Sequence, residues 1–428
     1  MKIFDSIRRL IQDTDQKVRL KTHYTLSDLA FWISFCLLLI IHCIENTSLT
    51  YLDTPWFPAM YLLRNCLYLV MIAKIGFLSS FTTRELILTG GTLLLGCISF
   101  FTTDDFGLCE FFIVAIASKD IAPRKLVSMF VKIKGIAVAL TLALYATGIL
   151  PTLHYLDDTV GSYNTYGFVH RNVLGANMAI LCLAWFYLRY RDLNKWDLIL
   201  WCGLAAITYK LAISRSSLIT MLLIIAVISL YRYFEPRLMK MKRTEKILLG
   251  SFIGLFAISL ACTILFDGDS SFWNRIDRIF TKRFRFSNQC LVDHGITLFG
   301  NDIPFLSSMD AQNADKRKLI LDNSYMRAIL FYGIIPGGVY LYGYYQAFKN
   351  AIAKKESALI ICLFIFTVYG FSERYMLDVF YCFPAMVACQ SFFYKSKPHK
   401  RIKRIIDEKN TNKTPLEHIF GFIEERLK

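Results

Sequence analysis

The chain has 428 residues, of which 55% are hydrophobic and only 19% are charged, and its formal net charge at pH 7 is +16. Soluble globular domains carry about 25% charged residues, so this composition excludes an ordinary soluble protein. Apolar runs of about 20 residues, the length that crosses a hydrocarbon core, recur along the chain and indicate an integral membrane protein. The basic residues lie in short connections between these runs, so we expect no nucleic-acid partner.

The apolar runs predict an all-α integral membrane protein of about twelve transmembrane helices. Residues 1–25 form a predicted cytoplasmic N-terminus, which is either an amphipathic surface helix or a plain solvated one. The polytopic domain follows over 26–394, and a basic cytoplasmic tail is predicted over 395–428. The spans are expected at 26–45, 56–75, 86–103, 105–119, 126–150, 172–189, 196–212, 214–233, 246–266, 323–347, 357–372 and 376–394.

The charge of the connections predicts the orientation. Basic residues cluster at the N-terminus, in every second connection and in the tail, whereas the alternate connections, such as ENTSLTYLD and TTDD, are acidic or neutral. Positively charged loops stay in the cytoplasm, so both termini are expected inside. The outer face then carries two long loops, 151–171 and 267–321, and the second lies between the ninth and tenth spans. In that loop the helical spacing of Phe272, Trp273, Ile276 and Ile279 predicts an ordered amphipathic piece.

Five arginines lie inside or at the rim of predicted spans, all toward the predicted outer side: Arg64, Arg171, Arg215, Arg327 and Arg374. A charge in hydrocarbon costs about 3 kcal/mol, so such residues need a partner. Arginine matches phosphate oxygens in pairs and stays charged when partly desolvated, so the cluster predicts a site for a lipid diphosphate. The alternative is that these arginines pair with Glu45, Glu110, Glu373 and Asp378. Lys132 and Lys134 are expected to reach the cytoplasmic surface along their aliphatic stems.

Few groups on the predicted outer side are suited to act as a general base. Asp322 stands where the tenth span begins, and it either takes a proton or caps the helix. His170, His294 and Glu373 are the other candidates. The sequence contains no P-loop, no HExxH and no G-x-G-x-x-G after a strand, and its 12 cysteines fall mostly within apolar runs. We therefore expect no cofactor, no metal site and no disulfide framework.

Four short motifs, taken in chain order, resemble those of a known family. The segment GFVHRNVLG at 167–175 resembles a G-x-x-H-x-N-x-x-G step, and SRS at 214–216 resembles an S-R-[ST] step. DNSY at 322–325, after the large loop, resembles a D-N-x-Y step, and Glu373 resembles an acidic residue in the same place. The family is that of Wzy-type O-antigen and capsular polysaccharide polymerases, which share a superfamily with the O-antigen ligases. Two departures are Arg171, where the family often has proline, and Asp322, where the ligase branch typically has histidine.

The resemblance implies a polysaccharide polymerase of the bacterial cytoplasmic (inner) membrane, and it implies roles for individual residues. A hydroxyl of one lipid-linked repeat unit would attack the anomeric carbon of another, and polyprenyl diphosphate would leave. Catalytic roles fall to Asp322, His170 and Glu373. Diphosphate binding falls to Arg215, Arg327, Arg171, Arg64 and Arg374, and the substrate loop includes His294, Asn323 and Tyr325. The expected partners are lipid-linked oligosaccharides and membrane lipids, with a flippase and a chain-length regulator beside them.

Two other functions remain open from the sequence. An O-antigen ligase would transfer the same glycan to a lipid A core or another acceptor, and the motifs do not separate it from a polymerase. A transporter of lipid-linked oligosaccharides would favour internal repeats, broken helices and short loops on both sides. The long second outer loop and the arginine cluster favour an enzyme.

Overall fold

The structure is a computed structural model that describes residues 10–393 apart from 11–12, 17, 19–23, 53–54, 158–160, 213, 239–241 and 306–318. The structure describes the backbone but not the side chains of the helical and strand residues within 154–163, 231–244 and 391–393. The predicted cytoplasmic N-terminus therefore lies mostly outside the described residues, and the predicted tail at 395–428 lies wholly outside them.

Helices make up nearly all of the described chain. They are α1 (Leu26–Glu45), α2 (Phe57–Ala73), α3 (Thr83–Thr103), α4 (Gly107–Ala117), α5 (Pro123–Ala146), α6 (Arg171–Arg189), α7 (Lys195–Ala212), α8 (Arg215–Leu238), α9 (Lys242–Leu265), α10 (Ser271–Ile279), α11 (Arg283–His294), α12 (Ser324–Met326), α13 (Ile334–Ala353), α14 (Ser357–Tyr369) and α15 (Phe383–Phe393). Short 3-10 turns occur at Ser48–Tyr51 and Arg374–Leu377, and π turns at Lys74–Leu78 and Arg327–Phe331. One antiparallel hairpin pairs β1 (His154–Asp157) with β2 (Gly161–Asn164).

The predicted helical membrane class is confirmed. Each predicted span contains helical residues, and the large loop contains the expected amphipathic helix, α10. Among the described residues, six helices are long and apolar enough to cross a membrane: Leu26–Glu45, Phe57–Leu78, Thr83–Thr103, Pro123–Ala146, Arg171–Arg189 and Glu245–Leu265. The β1–β2 hairpin, in the first predicted outer loop, adds a small strand element to the all-α architecture.

Local sequence signals fix where two of the long helices begin. The Thr25 hydroxyl accepts a hydrogen bond from the Asp28 backbone N–H at 3.0 Å, while the Asp28 carboxylate accepts from the Thr25 N–H at 3.1 Å. Thr82 and Glu85 form the same reciprocal arrangement at the start of α3. Each pair satisfies backbone donors that the first turn of a helix leaves free.

Long helices surround a centre of shorter ones. In the five outer spans, α1, α2, α3, α5 and α9, only 22% to 33% of the residues are buried, so most of their apolar surface is left to face lipid. The 13-residue α14 is buried and contacts α6, α8, α9, α13 and α15. At 1.5 Å per residue it is about 20 Å long, short of the roughly 30 Å hydrocarbon core. The polar connection at 370–382 therefore has protein around it rather than lipid.

The predicted span 323–347 is not one continuous helix. It begins with the three residues of α12, passes through the π turn at Arg327–Phe331, and resumes as α13 after Gly333. Gly333 has φ +88° and lies against Gly300, which has φ +109°, and a Cβ on Gly333 would overlap the Gly300 backbone nitrogen. The close approach lets the Asn301 N–H donate to the Phe331 carbonyl at 2.9 Å. Only glycine fits both the left-handed backbone and this contact.

We expect Gly333→Ala to lower the free energy of unfolding by about 1–3 kcal/mol, because the new methyl group is both strained and overpacked. The measurement is thermal unfolding of the detergent-purified protein. Gly338→Ala is the matched control, since it lies in α13 with nothing within 4 Å of an added Cβ. Equal unfolding temperatures for the two variants would contradict the close contact.

Candidate functional site

Four segments that are distant in sequence meet at one polar cluster. Gly175 of α6 packs so closely on the start of α8 that an added Cβ would lie 2.5 Å from the Ser217 hydroxyl oxygen. Next to it, the Ser216 hydroxyl donates to Glu373 Oε1 at 2.6 Å. The Ser324 hydroxyl of α12 donates to the Glu373 carbonyl, also at 2.6 Å. The four segments that carry motif-like residues, 167–175, 214–217, 322–325 and 370–374, are thus brought into contact.

Arg283, from the large loop, is the centre of this cluster. Its guanidinium donates to Glu373 Oε1 at 2.7 Å and forms an ion pair and hydrogen bond with Asp322 Oδ2. The side chains of Arg283, Asp322 and Glu373 are 10%, 22% and 3% exposed, so Asp322 is the carboxylate with the best access to solvent. A buried arginine between two carboxylates fixes both of them with directed hydrogen bonds.

The helical pair α10–α11 places Arg283. Asp277, 1% exposed, accepts hydrogen bonds from the backbone N–H groups of Phe284 at 3.0 Å and Arg285 at 3.2 Å, and so satisfies donors in the first turn of α11. The Phe284 ring packs edge-on against Phe371 with centroids 5.9 Å apart. Arg283 is the residue between these anchors, and its side chain is directed at the segment that follows α14.

A third anchor ties the loop to the membrane domain. The Asn288 side chain of α11 donates to the backbone carbonyl of Thr263, in the last turn of α9, at 2.9 Å. Phe280, at the end of α10, also packs on Phe371 at 5.5 Å. The described part of the large loop is therefore packed on the bundle by specific contacts.

The two carboxylates respond to the cluster in opposite directions. Burial raises the pKa of Asp322, but the nearby charges of Arg283 and Arg374 outweigh burial and hold that pKa below its usual value. Burial also raises the pKa of Glu373, and Arg283 offsets only part of that rise. Burial lowers the pKa of Arg283, yet the two carboxylates raise it overall. Asp322 is therefore the more readily ionised carboxylate of the pair.

Asn323, not Asp322, caps the helix that starts here. The Asn323 side-chain oxygen accepts from the backbone N–H groups of Tyr325 at 3.0 Å and Met326 at 3.1 Å. The capping alternative for Asp322 is therefore wrong, because the Asp322 carboxylate is occupied by Arg283 instead. The Asp322 side chain is left for an ionic or chemical role.

Asn323 and Tyr325, both assigned to the substrate loop, join helices in the interior. The Asn323 amide nitrogen donates to the Ser259 hydroxyl and the Phe371 carbonyl, each at 3.0 Å. Tyr325 is fully buried, and its hydroxyl donates to the Thr367 carbonyl at 2.8 Å. Their contacts fix the position of their neighbour Asp322.

His170 caps α6 and lies close enough to Asp322 for its charge to act on that carboxylate. Its Nδ1 accepts a hydrogen bond from the Asn172 backbone N–H at 3.1 Å. A neutral ring in this geometry carries its proton on Nε2, so that nitrogen is a donor. This arrangement favours hydrogen-bond donation by His170 over proton abstraction.

The five predicted arginines divide by environment. Arg64 pairs with Glu45 at 2.7 Å, as the pairing alternative anticipates. Arg327 lies 4.6 and 4.7 Å from the ring centroids of Phe305 and Phe331 and pairs with Asp105 at 3.6 Å. Arg171 is buried in the first turn of α6. Arg215 and Arg374 are exposed. Neither Arg215 nor Arg374 forms a side-chain hydrogen bond or ion pair with another described residue, so both are available cations at the rim.

His294 ends α11, and its backbone carbonyl accepts from the Asn301 side chain at 3.2 Å. Within the described residues, its imidazole has no recorded contact with Arg283, Asp322 or Glu373. In the described part of the chain, no group of three or more His, Cys, Asp or Glu side chains is placed to hold a metal ion.

The expectation for Lys134 is wrong. Lys134 is the twelfth residue of the 24-residue α5 and only 1% exposed, so its stem does not reach a membrane surface. Lys132, on another side of the same helix, is exposed. In the predicted span 126–150, Lys134 is the ninth residue. Because α5 begins at Pro123, Lys134 lies three residues further from the N-terminal end of the helix than the sequence predicts.

Arg283 is the main residue that sequence reasoning missed. It lies in a loop with many arginines and belongs to no motif, so nothing in its local sequence separates it from Arg275 or Arg278. Its contacts with Asp322, 39 residues away, and Glu373, 90 residues away, appear only in the folded chain.

Comparison with protein families, curated proteins and solved structures finds no match for this chain.

We expect Arg283→Met to lower the free energy of unfolding by about 3–5 kcal/mol, because it removes the cation that both buried carboxylates contact. Thermal unfolding of the purified protein measures the effect. Glu373→Gln in the Arg283→Met background should restore part of the loss, since it removes the more buried carboxylate. Arg278→Met, an exposed change in α10, is the control and should be near neutral. An Arg283→Met protein as stable as this control would contradict the role of the ion pair.

Proposed function

We propose that this chain is a polysaccharide polymerase that joins lipid-diphosphate-linked oligosaccharide repeat units at the outer face of the bacterial cytoplasmic membrane. In this proposal the chain crosses the membrane about twelve times with both termini inside, and the Arg283 cluster faces outward. The alternation of basic and neutral connections supports this orientation.

The observation that carries the proposal is the convergence of the four motif-like segments. Individually, 167–175, 214–217, 322–325 and 370–374 are short and weak signals. In the fold, Ser216, Ser324 and Glu373 share hydrogen bonds beside Asp322, and Gly175 of the first segment packs on Ser217 next to them. The order and identity of the segments resemble the Wzy-type polymerases, and their meeting at one polar site supports the proposal.

The leaving group in this reaction is a lipid diphosphate. Charge builds on its oxygen as the bond to the anomeric carbon breaks, so fixed cations stabilise the transition state. Arg215 and Arg374 are exposed at the rim and are assigned to the diphosphate first. Arg327 and Arg64 already pair with carboxylates, and we assign them to holding the surrounding helices.

Asp322 is assigned as the proton acceptor. The acceptor hydroxyl forms the new bond to the anomeric carbon, and its proton passes to the Asp322 carboxylate as the old carbon–oxygen bond to diphosphate breaks. Asp322 suits the role because it is the more readily ionised and the more exposed carboxylate of the pair. Arg283 positions it. Glu373 is nearly enclosed by Arg283 and Ser216, so we assign it to orienting Arg283 rather than to substrate.

Replacing Arg215 with Ala should reduce polymer formation by about 10²–10³-fold, the usual effect of removing one preorganised transition-state contact. The measurement is the length distribution of lipid-linked glycan in cells, where single repeat units should accumulate. Arg215→Lys should recover only part of the activity, because lysine lacks the planar fork. Arg84→Ala, an exposed arginine near the start of α3 on the predicted cytoplasmic side, is the control. Long glycans from Arg215→Ala at normal protein level would contradict diphosphate binding.

Asp322→Asn should reduce turnover by about 10²–10⁴-fold, because the amide keeps the shape but does not accept a proton. The assay uses purified protein in liposomes with lipid-linked repeat units, which also separates polymerisation from transfer to a different acceptor. Thermal unfolding is measured in parallel to separate lost chemistry from a weakened ion pair. Wild-type turnover in a normally folded Asp322→Asn protein would leave Asp322 only a structural role.

A further inference from the structure

Lys134 lies in the middle of the bundle, twelve residues into α5 and 1% exposed. Its ammonium donates to the Asn177 side-chain oxygen at 2.9 Å and lies 3.7 Å from the centroid of the Tyr381 ring. These contacts satisfy one N–H and give one face of the ammonium an aromatic partner. They leave a protonated Lys134 without a negatively charged partner, and an unpaired charge is costly at this depth in a membrane protein.

No carboxylate of the described residues lies within ion-pairing distance of Lys134. Asp378 is the carboxylate whose charge acts on Lys134, and that carboxylate lies against His42, with Nε2 3.9 Å from Oδ2. Membrane proteins usually pair a buried lysine with an acidic side chain. This site lacks that partner in the described chain.

A small cavity adjoins the ammonium. Its polar lining is provided by His42, Asn46, Lys134, Thr141, Asn177 and Tyr381. Tyr381 is only 1% exposed, and its buried hydroxyl has no hydrogen-bond partner among the described residues. A buried hydroxyl without a partner costs about 1–3 kcal/mol, so this cavity is suited to a ligand that accepts a hydrogen bond.

We propose that this cavity binds one small monovalent inorganic anion, such as chloride, between the Lys134 ammonium and the Tyr381 hydroxyl. The lining provides a cation and a free hydroxyl but no carboxylate, a combination that selects an anion over a cation. The space admits on the order of one water-sized ligand, which excludes a phosphate or a sugar carboxylate. The anion would balance the charge of Lys134 and complete the hydrogen bonding of Tyr381.

The cavity lies where several helices meet, so a bound ion would connect them. It lies between α1, α5, α6 and the segment before α15, and Phe168 of the motif-like segment 167–175 forms part of its wall. The Val169 N–H, next to Phe168, donates to the Asn46 carbonyl at 3.1 Å, so the end of α1 and the residues before His170 move together. The ion would fix this part of the fold beneath the Arg283 cluster.

The test is thermal unfolding of the full-length purified protein with chloride titrated against gluconate at constant ionic strength. A ligand that binds only the folded state raises the unfolding temperature in a saturable way. We expect such a rise for the wild type with chloride and bromide, its loss in Lys134→Met, and its retention in Lys132→Met, the exposed lysine of the same helix. Tyr381→Phe should raise the half-saturating chloride concentration several-fold.

Equal unfolding temperatures for the wild type in chloride and gluconate would overturn the proposal, and would indicate a neutral amine with bound water. A chloride response that persists in Lys134→Met would overturn it as well. Where Lys134→Met does not fold, the comparison of wild type with Tyr381→Phe decides the question. The readout is binding rather than glycan synthesis, so its outcome is independent of the proposed polymerase activity.

Discussion

The buried ion pair of Arg283 with Asp322 and Glu373 is the interaction on which the candidate site depends. Two carboxylates from different parts of the membrane domain lie close together, and like charges in a poorly solvated place repel unless a cation separates them. Arg283 provides that cation from outside the membrane helices. The loop that carries it is therefore part of the site's structure, and the contacts of Asp277 and Asn288 are what make that structure rigid.

Breaks in helices create the room for these charges. α14 ends before it can cross the membrane, and α12 gives way to a π turn before α13. Irregular backbone is tolerated at membrane depth only where other groups satisfy it, and here Asn323 and Ser324 supply the hydrogen bonds. The same residues that look like a motif in the sequence are thus used in large part to stabilise an interrupted helix. Asp322 is held at the end of that interruption.

The sequence predicted the helices well because the length of an apolar run can be read from neighbouring residues alone. The predicted range 26–45 coincides with α1, and Asp322, His170, Ser216 and Glu373 do meet in one region. The errors concern properties that are not local. The helix is capped by Asn323 rather than Asp322, whose carboxylate pairs with the distant Arg283 instead. The depth of Lys134 in the bundle depends on where α5 begins. Arg283 itself has no distinguishing neighbours in sequence, so its role follows only from contacts made across the whole chain.

Arg283 lies 39 residues before Asp322 and 90 residues before Glu373, and this order affects when the cluster can form during synthesis. Arg283 precedes both of its carboxylate partners in the chain, and its position depends on the packing of α10 and α11 on Phe371 and Thr263. Asp322 lies just before α12, and Phe371 and Glu373 follow α14, so all three are synthesised after the loop that contacts them. The Arg283 cluster therefore cannot form until the chain has been made as far as Glu373.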